Sequence, residues 1–260
     1  FAKPMPSVYG KGKHYVNCGE IENKGMELAV QASVIRMRDF EWILGGNIAR
    51  NEGKVKSLGD LNQITLEYED GAQLVTKVGD SPYQFYGYEV HEVFSTQAEA
   101  DKADLRNKKG RSYQAGDIHY VDQNKDGRID DKDRVSLGSA APKYFGGFFT
   151  QVKYKGFALS AEFSYSKGNK AYNAVRRSLE SVSAFGNQSV SVANRWNLEG
   201  QVTDVPRAQW GDPTGNNDFS ARWIEDASYL RMKNVTLSYS FDQKILNFIR
   251  SGMLYITGEN

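Results

Sequence analysis

One cysteine, Cys18, occurs in 260 residues, so no internal disulfide can form. A packed or lipid-facing thiol is its expected role. Histidine is nearly as scarce, and His14, His91 and His119 are scattered. Net charge is close to zero, with 33 basic against 32 acidic residues. No basic stripe offers itself to nucleic acid. No apolar run is long enough for a membrane helix. That excludes a helical span but not a β-barrel, whose strands need only about 9–11 residues with every second one apolar. No leader peptide is visible. Phe1-Ala2-Lys3 is not a natural start, and Gly258-Glu259-Asn260 stops inside what reads as a strand. The sequence reads as a piece of a longer chain.

Aromatics and glycine are abundant: 15 Tyr, 13 Phe, 4 Trp and 25 Gly. Period-2 alternation recurs in pairs of segments joined by short turns. Met26, Leu28, Val30, Ala32 and Val34 lead into the turn 36–39. Phe40, Trp42, Leu44, Gly46 and Ile48 return. Phe148, Thr150, Val152 and Tyr154 lead into Lys155-Gly156, and Phe157, Leu159, Ala161, Phe163 and Tyr165 return. Val235, Leu237, Tyr239 and Phe241 mark a further strand, and Met253–Thr257 begins another. The pattern predicts hairpins with one apolar and one polar face. Phe148, Val152, Phe157, Leu159, Phe163 and Tyr165 should share the apolar face, opposite Ser160, Glu162 and Ser164. Aromatics near the strand ends fit an interfacial girdle. A water-soluble sandwich alternates in the same way.

Long polar connections, 51–143 and 167–226, separate the hairpins. Barrels of the outer membrane pair short turns with long loops, whereas a compact sandwich rarely carries such insertions. These connections are expected to lack the apolar fraction of a buried core. Within the first, 64–75 reads as a hairpin with an Asp-Gly turn, and 96–109 as holding a short helix.

The stretch Gly116–Gly138 carries the one recognisable ion-binding pattern. Asp122, Asn124, Asp126, Asp130 and Asp133 supply oxygens at positions 1, 3, 5, 9 and 12 of a loop, with Gly127 at the turn and the Arg128 carbonyl at position 7. That spacing predicts a structural Ca²⁺ site. The same residues also suit a plain acidic turn. Asp133 stands where an EF-hand has Glu, and helical flanks are missing. His119 either flanks this site or sits on a strand face. Ser228 and Asp226 form no nucleophile pattern, so no enzyme is read. Loop aromatics are the candidates for substrate contact: Tyr83, Phe85, Tyr86, Tyr88, Trp196 and Trp210. Loop packing is the alternative for each. Arg222, Trp223, Glu225 and Asp226 are expected to fix a loop-to-strand entry.

Several ordered motifs resemble the SusC/RagA family of TonB-linked outer-membrane transporters. They are Ala115-Gly116-Asp117-Ile118 leading into Asp122–Asp133, then Leu137-Gly138, then Pro142-Lys143-Tyr144-Phe145-Gly146-Gly147-Phe148. Arg195-Trp196, Glu199-Gly200 and Thr203-Asp204-Val205-Pro206-Arg207 continue the likeness. The most specific run is Phe219–Leu237, and Gly19–Leu28 also fits. The resemblance covers essentially the whole chain. One departure is Glu92, where family members often carry Gly.

This resemblance implies an all-β fold: a partial transmembrane barrel of antiparallel strands, about seven of the roughly 22 in a plugged transporter. It puts the turns 36–39 and 154–156 in the periplasm and the connections 51–143 and 167–226 outside. The plug, the TonB-contacting segment and the final strands would lie elsewhere. Implied partners are a SusD-like surface lipoprotein, the TonB complex, outer-membrane lipid, and a glycan or peptide substrate. A Ca²⁺-dependent hydrolase accessory domain is one other reading from the residues, but it needs paired carboxylates at catalytic separation and the sequence offers no convincing pair. A second is a soluble, Ca²⁺-stabilised glycan-binding or adhesion module. It would bury both faces of its sheets.

Overall fold

A computed structural model describes residues 2–4, 13–15, 17, 19–242 and 251–260. Cys18 lies outside them. The chain divides into two compact units. One comprises 23–53, 141–169 and 227–260, the other 1–22, 54–140 and 170–226.

The first unit is built on a six-stranded antiparallel sheet. Its order is Ser251–Glu259, Tyr229–Asp242, Phe157–Lys167, Tyr144–Tyr154, Phe40–Ser57 and Glu20–Arg36. Among the described residues six strands stand where about seven were expected, and they do not close on themselves. The shortest has 9 residues and the longest 18, so each reaches the length a tilted spanning strand requires. Both expected hairpins form. The amide of Met37 donates to the Phe40 carbonyl at 2.8 Å in the first turn. Tyr154 pairs with Phe157 across the second.

Cross-strand register fixes the faces. Val152 lies between Trp42 and Leu159, Leu159 faces Leu237, and Leu237 faces Ile256. Phe148 stacks on Phe163 with ring centroids 4.6 Å apart. Glu162 stands on the opposite face, where it accepts from Asn234 at 2.9 Å. Ser160 and Ser164 share that face through their pairing with Gln151 and Gly147. A slip of one residue would exchange every side chain between faces, so the alternation specifies this register strongly.

One irregularity preserves the pattern. Asn234 pairs with Glu162 and Met232 with Phe163, leaving Lys233 without a partner on the Phe157–Lys167 strand. This bulge shifts the parity of the strand. Leu230 and Met232 precede it on even numbers, Val235, Leu237 and Tyr239 follow on odd numbers, and all five face the same way.

Among the described residues no second layer covers the apolar face. Phe148, Phe157, Leu159, Leu237 and Ile256 are all exposed. A sandwich would bury them. On the other face Phe149 lies over Gly45, where any Cβ would overlap its ring.

The second unit holds the buried core. Trp223, Tyr88, Tyr120, Ile118, Leu58 and Val55 are essentially inaccessible, and every buried hydrophobic residue among those described belongs to this unit. The expectation that the connections lack a core is therefore corrected. Short strands and turns, not long apolar runs, converge on it, and so local composition hid it. A four-stranded sheet runs in the order Arg134–Ser139, Gln84–Tyr88, Gln73–Lys77, Gln63–Glu67. The last two form the expected hairpin. The expected helix is Gln97–Ala103, where Thr96 and Glu99 make a reciprocal capping box.

Candidate functional site

The core-bearing unit contains every candidate site residue. Its main cluster comprises Tyr88, Val93, Phe94, Ala100, Leu105, Tyr113, Ile118, Tyr120 and Ile129, with Trp196 packed against it. Asp117 ties distant segments to this cluster. It is fully buried, and Arg207 grips it with two hydrogen bonds, Nε to Oδ1 at 2.9 Å and Nη2 to Oδ2 at 3.0 Å. Asn216 donates to Oδ1 at 2.9 Å, Thr214 to Oδ1 at 3.1 Å, and the Gln114 amide to Oδ2 at 2.9 Å. Five donors leave no oxygen unsatisfied, which a buried carboxylate requires.

The loop 122–133 is anchored on this core. Arg128–Ile129 pairs in parallel with Arg106–Asn107, and Ile129 is buried. Lys125 and Gly127 take positive φ values of 60° and 76°, which turn the chain sharply. Oδ1 of Asp122 accepts from the Lys125 amide at 2.7 Å, and Oδ2 from Gly127 at 2.7 Å. Asn124 donates to Asp126 at 2.9 Å. Asp130 and Asp133 cap the 3-10 turn Asp131–Asp133 reciprocally. Asp133 is inaccessible and accepts from the amides of Gln123 at 2.9 Å and Asp130 at 2.8 Å. Burial raises its pKa, against the lowering effect of those amides.

The structure thus brings Asp122, Asn124 and Asp126 into one hydrogen-bonded turn and Asp130 with Asp133 into another. Among the described residues no three His, Cys, Asp or Glu side chains are placed to hold one ion. Most of these oxygens accept from backbone amides of the loop itself.

His119 sits on the strand Ile118–Tyr120, stacked on Phe94 at 4.3 Å and 4.9 Å from His91. Burial first, and then the neighbouring His91, lowers its pKa.

The aromatic candidates separate. Tyr88 is buried, with its ring 5.4 Å from Tyr120 and under the Arg134 guanidinium at 4.8 Å. Trp196 donates its indole N–H to the Ser95 carbonyl at 3.1 Å and closes over Gly116. Both are packing residues. Phe85 and Tyr86 are half-buried in the strand Gln84–Tyr88. Tyr83 and Trp210 are exposed, and Trp210 stacks on Phe185 at 4.3 Å. Phe185 was not among the candidates; it is an isolated aromatic with no alternating neighbours to mark it.

Arg222 and Trp223 hold the loop-to-strand entry. Trp223 is fully buried beneath the Arg222 guanidinium at 4.3 Å. Burial lowers the Arg222 pKa to about 10. The strand Ile224–Asp226 pairs with Lys170–Tyr172, and Arg176 reaches Glu225 at 3.3 Å.

No family model matches the chain. It is similar to TonB-dependent receptor P26 of Formosa agariphila, with 30% identity over 263 residues. That match spans 98% of this chain and 26% of the relative. TonB-dependent receptor SusC of Bacteroides thetaiotaomicron is 27% identical over 235 residues, 86% of this chain and 21% of SusC. The chain therefore spans about a quarter of the length of the curated relatives it matches. Among solved structures, the RagAB peptide transporter superposes with a TM-score of 0.79 at 22% identity, covering 100% of this chain and 27% of that one. The open-open state of the RagAB peptide importer gives 0.76 at 23% identity, covering 100% and 27%. This likeness shows the fold. The matched proteins are receptors and transporters, not enzymes.

Proposed function

We propose that this chain, a homologue of SusC-type TonB-dependent receptors over nearly its whole length, forms wall strands and outer loops of a nutrient importer. Its place is the bacterial outer membrane. The observation that carries the reading is the single-layer sheet. Every strand is long enough to span, one face is apolar and exposed, and the other is polar. Lipid covers the first face and an aqueous lumen the second. The soluble Ca²⁺-stabilised module, by contrast, needs that apolar face buried, and it is not.

The cargo is a glycan or an oligopeptide. The RagAB peptide transporter supports the second, and the first rests on the family likeness of the sequence motifs alone. A SusD-like lipoprotein closes over the connections 51–143 and 167–226, and a part of the receptor outside this chain engages TonB. The loop 122–133 takes a structural Ca²⁺ through Asp122, Asn124, Asp126, Asp130, Asp133 and the Arg128 carbonyl, exchanging several amide contacts for the ion. The spacing and the sharp turn at Gly127 support this, while the side-chain directions described above do not.

Deletion of the full-length gene, with and without a functional TonB, tests the reading. Uptake of one class, oligosaccharide or oligopeptide, should fall on deletion where TonB functions, and deletion should cause no further fall where it does not. Unchanged uptake of both classes would overturn the importer. Crosslinking in native membranes should recover a surface lipoprotein.

A further inference from the structure

The strands Val90–Val93 and Ile118–Tyr120 pair antiparallel, and their register slips by one residue. Val93 faces Ile118 and Val90 faces Tyr120, so His91 and Glu92 together stand opposite His119. A bulge of this kind re-aims side chains. Here it keeps both Val90 and Val93 packed on the hydrophobic cluster, beside Ile118 and Tyr120. His91 and Glu92 are left exposed, and His119 is half-buried. In the sequence the two histidines read as scattered; the strand pairing brings them together.

The two imidazole centroids lie 4.9 Å apart, with the rings tilted by 52°. Metal–nitrogen bonds of about 2.0–2.1 Å, meeting at about 90–110°, place two ligating imidazole centroids about 4.5–5.3 Å apart. The observed separation falls inside that range. Phe94 stacks on His119 at 4.3 Å and 21°, which fixes the plane of one ring in advance. Burial first, and then His91, lower the His119 pKa and so favour the neutral imidazole that ligates a metal. The adjoining cavity, of about 780 Å³, is lined by Glu92, Glu99, Asp104 and Asp122 against Lys102 and Lys125. That excess of carboxylates over ammonium groups favours a cation there.

We propose that His91 and His119 ligate a zinc ion, which braces the two strands across the bulge. Imidazole nitrogen suits Zn²⁺ and is a poor match for Ca²⁺, which takes oxygen ligands. Two protein ligands leave the other positions to water, and the neighbouring Glu92 carboxylate adds negative charge beside the ion. The pair is distinct from the oxygen-bearing loop 122–133 in both residues and chemistry. The assignment is also independent of the import reading, because binding is measured without transport.

The test uses the purified full-length receptor in detergent, stripped with EDTA and then given ZnCl₂. Amide hydrogen exchange, followed by mass spectrometry, reads the segments 90–94 and 118–120 directly. At free Zn²⁺ about ten times the dissociation constant, mass action should slow their exchange about tenfold. CaCl₂ at the same concentration should leave it unchanged. His91→Gln should abolish the slowing, and because His91 is exposed, exchange without metal should match that of the wild type. His119→Gln should abolish the slowing too. No slowing by Zn²⁺ in the wild type overturns the proposal, and so does equal slowing by CaCl₂. Slowing that survives His91→Gln also overturns it, since the ion then sits elsewhere.

Discussion

Replacing Asp117 by Asn tests whether the loop unit is held by a buried charge. The carboxylate is inaccessible and receives both arms of Arg207 at 2.9 and 3.0 Å. Asn at this position keeps the shape and removes the charge. Whichever way its amide is turned, an N–H₂ group then meets donors, Arg207 Nε, Thr214 and Asn216 at the Oδ1 position or Arg207 Nη2 and the Gln114 amide at the Oδ2 position. Removing one partner of a buried ion pair costs about 3–5 kcal/mol. The Arg207 side chain retains 22% exposure and recovers some hydration, so the low end applies, about 3 kcal/mol. That is roughly a hundredfold rise in the open population of this unit. Limited proteolysis of the full-length receptor under conditions of fast reclosing reads that population directly. Cleavage within 114–118 and 207–217 should accelerate about a hundredfold, while cleavage in the sheet hairpins stays unchanged. Arg207→Gln should be strongly non-additive with Asp117→Asn, because the two side chains form one unit. An unchanged cleavage rate in Asp117→Asn would show that the neutral hydrogen bonds suffice and the charge contributes nothing.

The sheet faces can be separated by charge: Leu159→Lys should lower barrel stability in lipid by about 2–4 kcal/mol in refolding titrations, whereas Glu162→Lys should change it little. Asp126→Ala should abolish a Ca²⁺-dependent rise in the loop unit's melting temperature and leave the hairpins intact; the proposed ion site fails if wild type shows no such rise. His119 has a lowered folded pKa, so the unfolded state binds the proton more tightly. Its contribution to stability is therefore full above the unfolded pKa of about 6.5 and is lost as pH falls through that value towards the lower folded one. Hydrogen exchange near Phe94 should quicken between about pH 7 and pH 5, and His119→Gln should remove that dependence.

The sheet was legible because its determinants are local. Alternation in 148–165 states both the faces and the turn, and the register follows from keeping Phe148, Val152 and Leu159 together. Even the Lys233 bulge is written in the shift from Leu230 and Met232 to Val235 and Leu237, though a period-2 reading that starts at Val235 passes over it. The loop unit was legible only in its hairpin and helix. Asp117 meets Arg207 across 90 positions, and Trp223 reaches the core through a three-residue 3-10 turn. No periodicity announces such contacts. Tyr86 and Tyr88 stand two apart on one strand, yet Tyr88 is buried on the Tyr120 ring while Tyr86 is not. What separates them is a neighbour distant in sequence.

The two units dispose of their apolar side chains in opposite ways, and this argues for where each resides. In the core-bearing unit, protein covers Trp223, Tyr88, Tyr120 and Ile118, so the hydrophobic effect acts within the chain. In the sheet unit, Leu159, Leu237, Leu254 and Ile256 are exposed along one face. Each such side chain forgoes about 1.5–3 kcal/mol while it faces water. A single sheet that leaves this face wet does not hold together by its own burial. Its backbone tells the same story, because among the described residues Glu20–Arg36 and Ser251–Glu259 are edge strands with one neighbour each. Lipid would satisfy the apolar face but not these edges, since a bilayer offers no donors or acceptors. Both needs are met together only when further strands pair with the two edges and the ring closes in a membrane. The six strands described here are thus the kind of sheet that is stable as an arc of a larger barrel, and the loop unit is the part of the chain that carries a core of its own.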